Sequence, residues 1–498
     1  MRSHVRSSLA RALASALALA GCHPAPVSAP ASAASPASAA APASAAASVS
    51  GAPAQPGAST GAGRPPATAG VPDTRAGREL AWLLGVLASG GHADAATLQA
   101  HFDPAYLARR PTDKLAAALV ELARHLASLS DVATTARDDA HVTLRGAAPE
   151  GRFALVLGLD PASHRIAELD VGPDIVPGPS SLPEAVARLD ALAPNAQLLI
   201  AALDGPGPTT AAASHHRGAT CTPLFQHNPD AELAIASAFK LYVLLGLADH
   251  VADGRAAWTD AVAMRDAWRS LPGGITQDEP TGARLTLRTL AERMISISDN
   301  TASDILIETV GRRRVEAELG ATGHAQPALN VPFLETRELF WLKMAAPAAE
   351  VTRYLSLAEA PRRAYLERLA GKRPTASFDD WTTPRHIDRL EWFASSTDLC
   401  RAMAALWTRG QTPAGAPVLE VLAKNPGLIP GTLAPWSYAG FKGGSEPGVV
   451  NATWLLQRKA DQRWFVVTLG LNGPTAIDEG AIIGLASGVL AILANDAP

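Results

Sequence analysis

Four consecutive residues, Ser237-Ala238-Phe239-Lys240, place a hydroxyl and an amine where one could act on the other. Side chains three apart share one face of a helix, so Lys240 can reach the Ser237 hydroxyl. A hydroxyl is a poor nucleophile until a base takes its proton. A lysine can be that base only if burial or a neighbouring cation leaves it neutral. The field at a helix start also favours an oxyanion forming beside Ser237. Such a pair suits acyl transfer, in which serine attacks a carbonyl and water later releases the acyl group. Two later strings could complete the set. Ser298-Asp299-Asn300 offers a hydroxyl and an amide, and Lys442-Gly443-Gly444 offers a cation on a chain that can approach closely. Asp299 reads as structural, holding its own loop through backbone hydrogen bonds.

These groups need a frame. An apolar helix is predicted from Ser237 to about Val251, and another from Thr286 towards Val310, carrying Ser298 to Asn300. Tyr438–Phe441, Val449–Arg458 and Arg463–Leu471 read as three antiparallel strands, with Lys442 directly after the first. Gln197–Leu203 and Pro223–Gln226 are further strands, and Glu184–Leu192 is a helix. The Gly/Ala-rich helix Ala481–Leu493 is too short to span a membrane, and its small residues suit close packing on a sheet.

Ahead of this frame the chain changes character. Arg2, Arg6 and Arg11 precede the apolar run Ala12–Ala20 and Gly21-Cys22, the pattern of an export signal too short to span a bilayer. Residues 23–73 are nearly all Ala, Pro, Ser, Gly and Thr, a tether whose ends as a coil would lie on the order of 40 Å apart. Residues 74–172 form a small α+β unit. Leu80, Leu83, Leu84 and Leu87 fall at helical spacing, and Thr112 caps a helix with Leu115, Leu119, Leu122 and Leu126. Three strands follow, at His141–Arg145, Arg152–Asp160 and His164–Asp170. The prolines of residues 173–183 mark a linker, and residues 184–498 make up the larger unit.

In order and context, the three chemical strings resemble those of serine β-lactamases and penicillin-binding proteins, over roughly Leu182 to Leu493. Leu19-Ala20-Gly21-Cys22 likewise resembles a bacterial lipobox, which would make Cys22 a lipidated N-terminus. The resemblance implies an antiparallel sheet flanked by helices, with a helical subdomain. It makes Ser237 the nucleophile, Lys240 its general base and Ser298 the proton shuttle towards the leaving group. Asn300 would bind the substrate amide side chain, and Lys442 a substrate carboxylate while keeping Lys240 neutral. The N–H groups of Ser237 and Ser445, beside Gly444, would form the oxyanion hole. The pattern departs at Gly443, where the family usually supplies a hydroxyl, and in the stretch from Asn300 to Lys442, which is longer than in class A enzymes. Class A deacylation uses a Glu in an E-x-x-L-N loop. Glu335 and Glu338 are the candidates here, but Glu335-Thr336-Arg337-Glu338-Leu339-Phe340 lacks the Asn. Lys442 through Gly448, the string Glu391-Trp392-Phe393-Ala394-Ser395 and the small leading domain resemble a narrower two-domain group. It includes the cephalosporin esterase associated with clavulanic acid gene clusters and related lipoproteins. The leading domain itself resembles the steroid-isomerase and nuclear-transport-factor-like cone.

Composition excludes other classes. The chain has 498 residues, 18% of them charged, with a formal net charge of −4 and no basic stripe, so no nucleic-acid partner is expected. No CxxC or HExxH pattern appears, and the His215-His216 doublet reads as a loop, so neither metal nor cofactor is expected. Cys221 and Cys400 read as two separate buried thiols. The expected protein is a monomeric serine hydrolase, exported and lipid-anchored in the cell envelope, facing the periplasm or outer surface. Its partners would be a small-molecule ester or β-lactam and, through the anchor, a membrane. A D-alanyl-D-alanine peptidase and a non-catalytic binder of β-lactam or peptidoglycan are the alternatives on the same scaffold.

Overall fold

The computed structural model describes residues 70–126, 130–148, 151–205, 218–270, 273–369, 372, 381–428 and 430–495. The export signal with Cys22, the tether up to residue 69 and the His215-His216 doublet lie outside these residues.

In the first unit, the helix Arg75–Ala88 begins where Thr74 accepts the Gly77 N–H, and it turns Ala76, Leu80, Leu83 and Leu87 inward. Asp94 and Asp103 cap the short helices Ala95–His101 and Pro104–Arg109. The helix Thr112–Leu126 brings Leu115, Leu119 and Leu122 to the same core. It starts one residue earlier than a Thr112 cap implies, because the Leu115 N–H donates to the Pro111 carbonyl. These helices pack on strands β1 (Ser130–Ala136), β2 (His141–Ala148), β3 (Gly151–Leu159) and β4 (Ile166–Pro173), antiparallel and in that order. Strand β1 escapes prediction because its Asp-Val-Ala-Thr-Thr-Ala run, residues 131–136, is a largely exposed edge with no apolar face to alternate.

The segment read as a linker is packed down. Asp174 is buried between Arg145 and Arg152. Val176 to Pro179 lie along the helix Glu479–Asn495, where a Cβ added to Gly484 would sit 1.8 Å from the Val176 carbonyl oxygen. A Cβ on Gly488 would sit 2.3 Å from Pro179 Cδ. The small residues of this helix therefore receive the linker rather than the sheet. Its larger ones, Ile482, Leu485, Val489, Leu490 and Leu493, face the sheet.

The larger unit opens with the Ser181-capped helix Leu182–Leu192 and strands β5 (Asn195–Asp204), β6 (Thr220–His227) and β7 (Leu233–Ala234). Short strands β8 (Ala261–Ala263) and β9 (Arg284–Thr286) form a ribbon, and β10 (Phe393–Ala394) pairs with β7. Strands β11 (Trp436–Glu446), β12 (Val449–Arg458) and β13 (Trp464–Asn472) complete a five-stranded antiparallel sheet of order β11-β12-β13-β5-β6. Both faces are covered. Leu198, Ile200, Phe465, Val467 and Leu469 meet the terminal helix, while Leu199, Ala201 and Val466 meet the helical half of the molecule. This period-two division explains why β5 and β13 read as near-continuous apolar runs.

Two expectations are corrected. The helix from Thr286 towards Val310 is two helices, Leu287–Ser296 and Asn300–Val310, because Ser298 has φ 57° and Asp299 starts the second as its cap. The two cysteines are not separate thiols. Cys221 on β6 and Cys400 on the helix Ser396–Gly410 form a disulfide, with Cα atoms 6.3 Å apart. Sequence distance hid the pair, since packing of that helix on β5 and β6 is what brings them together. No helix among the described residues is long and apolar enough to cross a membrane.

Candidate active site

Ser237 lies in the 3-10 turn Ala236–Phe239, which leads into the helix Lys240–Ala252. Ala236, the residue before it, has φ 44°, in the left-handed region that a non-glycine residue enters only when its surroundings impose it. The imposing contacts are visible. The Ile235 N–H donates to the Trp392 carbonyl, and the Trp392 ring stacks on Phe239 with centroids 3.8 Å apart. Strand β11 presses on the same turn from the other side. A Cβ on Gly444 would lie 2.6 Å from the Ser237 nitrogen and 2.2 Å from the Ile235 carbonyl oxygen, so only glycine fits. That close approach sets the backbone of Ser445, next along β11, beside the turn.

Lys240 is fully buried and its ammonium nitrogen has three partners. It donates to the Ser298 carbonyl at 2.6 Å, to Asn300 Oδ1 at 2.8 Å and to Ser298 Oγ at 3.1 Å. Lys442 reaches the same Ser298 hydroxyl at 3.2 Å and the Gly443 carbonyl at 2.5 Å. The Ser298 hydroxyl thus sits between two amines, placed there by the left-handed turn that interrupts the predicted helix. Burial, then the nearby Lys442 charge, holds Lys240 well below the ordinary lysine range, against the opposing pull of Asp299 and Asp304. Burial alone brings Lys442 down to about 7. One amine can then be neutral and take a proton while the other retains positive charge.

Asp299 turns away from this centre. Its carboxylate accepts from the backbone N–H groups of Ile275, Thr276 and Ala302, each at 2.8 Å. The facing loop can come this close only because it is Gly273-Gly274. A Cβ on Gly274 would sit 2.3 Å from Asp299 Cγ, and one on Gly273 would sit 2.6 Å from Asn300 Nδ2. Sequence reasoning passed over these glycines, although a Gly-Gly pair ahead of the site strings was the available sign. Gly443 has a local reason too. A side chain there would meet the Phe441 ring at 2.7 Å.

Glu335 and Glu338 are brought near the site but are already engaged. Glu335 pairs with Arg312 and Arg337, and Glu338 with Arg312, both carboxylates being almost fully buried. Together they form a capping box at the N-terminus of the short helix Thr336–Phe340. Between them, the Thr336 hydroxyl bonds Asp304, Ser270 and the Asn300 carbonyl. Burial, then Glu338 and Asp304, pushes the Glu335 carboxyl well above its usual range.

A five-stranded antiparallel sheet between a helical half and two flanking helices, with this serine–lysine centre at their junction, is a serine β-lactamase-like fold. The chain belongs to the β-lactamase enzyme family, whose model matches residues 212–487. Among solved structures, a β-lactamase from Sphaerobacter thermophilus DSM 20745 is 21% identical, covering 64% of this chain and 99% of its own, with a TM-score of 0.44. A β-lactamase from Desulfarculus baarsii DSM 2075 is 16% identical over 63% of this chain and 98% of its own, with a TM-score of 0.42. The structure of PBP-A is 15% identical over 64% and 98%, with a TM-score of 0.40. No curated protein matches the chain.

The amines make a pH prediction. Lys442 carries its charge below about 7 and loses it above. For a substrate with a carboxylate, kcat/KM should fall as pH rises from about 7 to about 9, while a neutral ester should lack that descending limb. Parallel pH profiles on the two substrates check it, and identical alkaline limbs would remove the carboxylate role from Lys442.

Proposed function

We propose that the protein is an exported serine hydrolase that forms an acyl-enzyme through Ser237, acting on an ester or a β-lactam. The observation that carries this reading is the buried, depressed Lys240 beside Ser298, Asn300 and Lys442, one turn after the imposed bend at Ala236 that presents Ser237. Ser237 Oγ bonds to the carbonyl carbon while its proton passes to neutral Lys240. The oxyanion forms facing the N–H groups of Ser237 and Ser445. As the bond to the leaving group breaks, the proton returns to it through Ser298. Asn300 holds an amide of the substrate, and Lys442 a carboxylate. Water then attacks the acyl carbon, the bond from that carbon to Ser237 Oγ breaks as a water proton passes by way of Lys240 to Ser237, and the acid leaves.

An ester suits this site better than a lactam. Both acidic candidates for activating water, Glu335 and Glu338, are bound to arginines, so the acyl group must leave without a carboxylate base of the E-x-x-L-N kind. An ester loses its leaving group more readily than an amide does, so it asks less of such a site. This favours a cephalosporin-esterase-like activity, in which an acetyl ester is cleaved and the ring stays closed. Three substrates read by product analysis and intact mass separate the outcomes: a chromogenic cephalosporin, a 3-acetoxymethyl cephalosporin and a simple ester. Acetate release with an intact ring is expected. Ring opening with turnover would make the protein a lactamase, and an adduct without turnover would make it a binder.

The reading includes export and a lipid anchor at Cys22. The Cys221–Cys400 disulfide supports the first, because such bonds persist in oxidising compartments. Cys22→Ala should move the protein from the membrane pellet to the soluble fraction, and an unchanged pellet would remove the anchor. The small leading domain, with four antiparallel strands under helices, fits the steroid-isomerase-like cone in a docking rather than a catalytic role.

A further inference from the structure

Behind the nucleophile turn lies a second polar cluster that the acyl-transfer site does not use. Glu232 precedes β7, His324 follows the helix Arg312–Ala321, and Asp398 lies in the first turn of the helix Ser396–Gly410. One ligand atom from each lies within 4.8 Å of the others. His324 and Asp398 have no side-chain exposure, and both Glu232 carboxylate oxygens are buried without a hydrogen-bond partner among the described residues. A separate observation points into the cluster. Tyr242, on the nucleophile helix two residues past Lys240, is 1% exposed and its hydroxyl also lacks a partner. Its ring centroid is 5.9 Å from that of His324, and its phenol feels the charges of Asp398 and Glu232.

We propose that Glu232, Asp398 and His324 bind a divalent metal ion of the zinc class, with the Tyr242 hydroxyl completing the site. The ligand orientation fits. His324 Nε2 lies 2.9 Å from the Phe393 carbonyl and donates to it, which turns Nδ1 towards Asp398 Oδ2 at 3.8 Å. A ring nitrogen anchored on a backbone carbonyl, with its twin facing the cation, is the usual way proteins orient a histidine ligand. The Gln326 N–H, 3.1 Å from Nδ1, is the contact the metal displaces. Asp398 Oδ2 already accepts the Ser395 N–H and hydroxyl and Oδ1 the Ala325 N–H, which fixes the carboxylate and leaves a lone pair on Oδ1. Zinc ligands at about 2.0–2.2 Å stand about 3.4 Å from one another in a tetrahedron, so a small contraction closes the shell.

Charge argues the same way. Two buried carboxylates face each other, Asp230 adds further negative potential, and the cation beside Asp398, Arg401 at 3.6 Å, has 45% of its side chain exposed. A dication supplies the missing positive charge and both missing partners of Glu232. It would also brace the catalytic turn from behind, since Ala234 on β7 pairs with Phe393 on β10 and Ile235 follows directly.

The rival occupant is a proton shared by Glu232 and Asp398, and one substitution separates the two. Glu232→Gln keeps a hydrogen-bond donor for Asp398 but loses an anionic ligand. Calorimetry of the chelator-stripped protein with zinc chloride should give one equivalent bound and a raised melting temperature. In Glu232→Gln the affinity should fall at least tenfold and the thermal shift should disappear. Cobalt(II) should give a tetrahedral d–d spectrum in the unaltered protein that added zinc abolishes. Tyr242→Phe, which keeps the ring, should weaken binding several-fold. No stoichiometric binding, or equal binding by Glu232→Gln, overturns the site in favour of the shared proton.

Discussion

Ser237→Ala should abolish covalent adducts with both a cephalosporin and a simple ester, and lower turnover about 10⁴-fold or more. The size follows from acyl transfer, in which the nucleophile and its base act as a unit, so losing either removes most of the gain over water. Lys240→Met should cost about 10³-fold in acylation, within the range for a positioned general base. Its effect has a second component. Lys240 ties Ser298 to Asn300, so the variant also frees the hydroxyl that would return the proton. Methionine fills the buried volume without the charge, which separates chemistry from packing. Single-turnover intact-mass kinetics read acylation directly. A Ser237→Ala enzyme that still acylates would move the nucleophile elsewhere.

The second large effect lies in stability. Lys343 sits in the π-helical turn Trp341–Ala345, its side chain wholly buried, with its ammonium nitrogen 2.6 Å from both Glu391 and Glu446. These carboxylates belong to the Glu391–Ser395 string and to the end of β11. Burial, and then Glu391, pushes the Glu446 carboxyl well above its usual range, against the opposing pull of the Lys343 ammonium. Removing the ammonium leaves two buried acids facing each other. Lys343→Met should destabilise the protein by about 3–5 kcal/mol, the usual cost of breaking a buried pair from one side. Adding Glu446→Gln should restore part of the loss, because the second acid is then neutral at every pH. Urea unfolding of both variants measures this. Equal midpoints for Lys343→Met and the unaltered protein would show that the cluster holds nothing together.

The contrast between these two sites explains what the sequence could reveal. Ser237 and Lys240 are three residues apart on one turn, and short-range spacing is what periodicity reports. Ser298 and Lys442 were legible as strings, and their helix and strand contexts were expected. The bend at Ser298 was not, because no spacing rule marks a serine that must adopt a left-handed conformation. Lys343, Glu391 and Glu446 come from three separated segments, and nothing local marks them as partners. The same holds for Cys221 with Cys400, and for Glu232, His324 and Asp398. Sheet strands with two covered faces were readable from their apolar runs, whereas the exposed edge β1 was not. Linker prolines suggested a spacer, but the bare backbone of Gly484 and Gly488 gave that segment a seat.

The strand order of the large sheet also says something about how the molecule is made. Strand β5 has β6 on one side and β13 on the other, with Asn195 opposite Asn472. On a chain emerging from its N-terminus, β5 and the nucleophile turn are complete long before either can be used. Their neighbours β11 and β13 are synthesised only after the whole intervening helical half. Until then one edge of a very apolar strand is unpaired, and pairings this distant in sequence form slowly. A chain interrupted before β11 would carry Ser237 and Lys240 but have no Lys442 and no Gly444 to close the turn. Reactivity therefore arrives only with β11 to β13, and a fragment released before them is exposed to aggregation before it can act on a substrate.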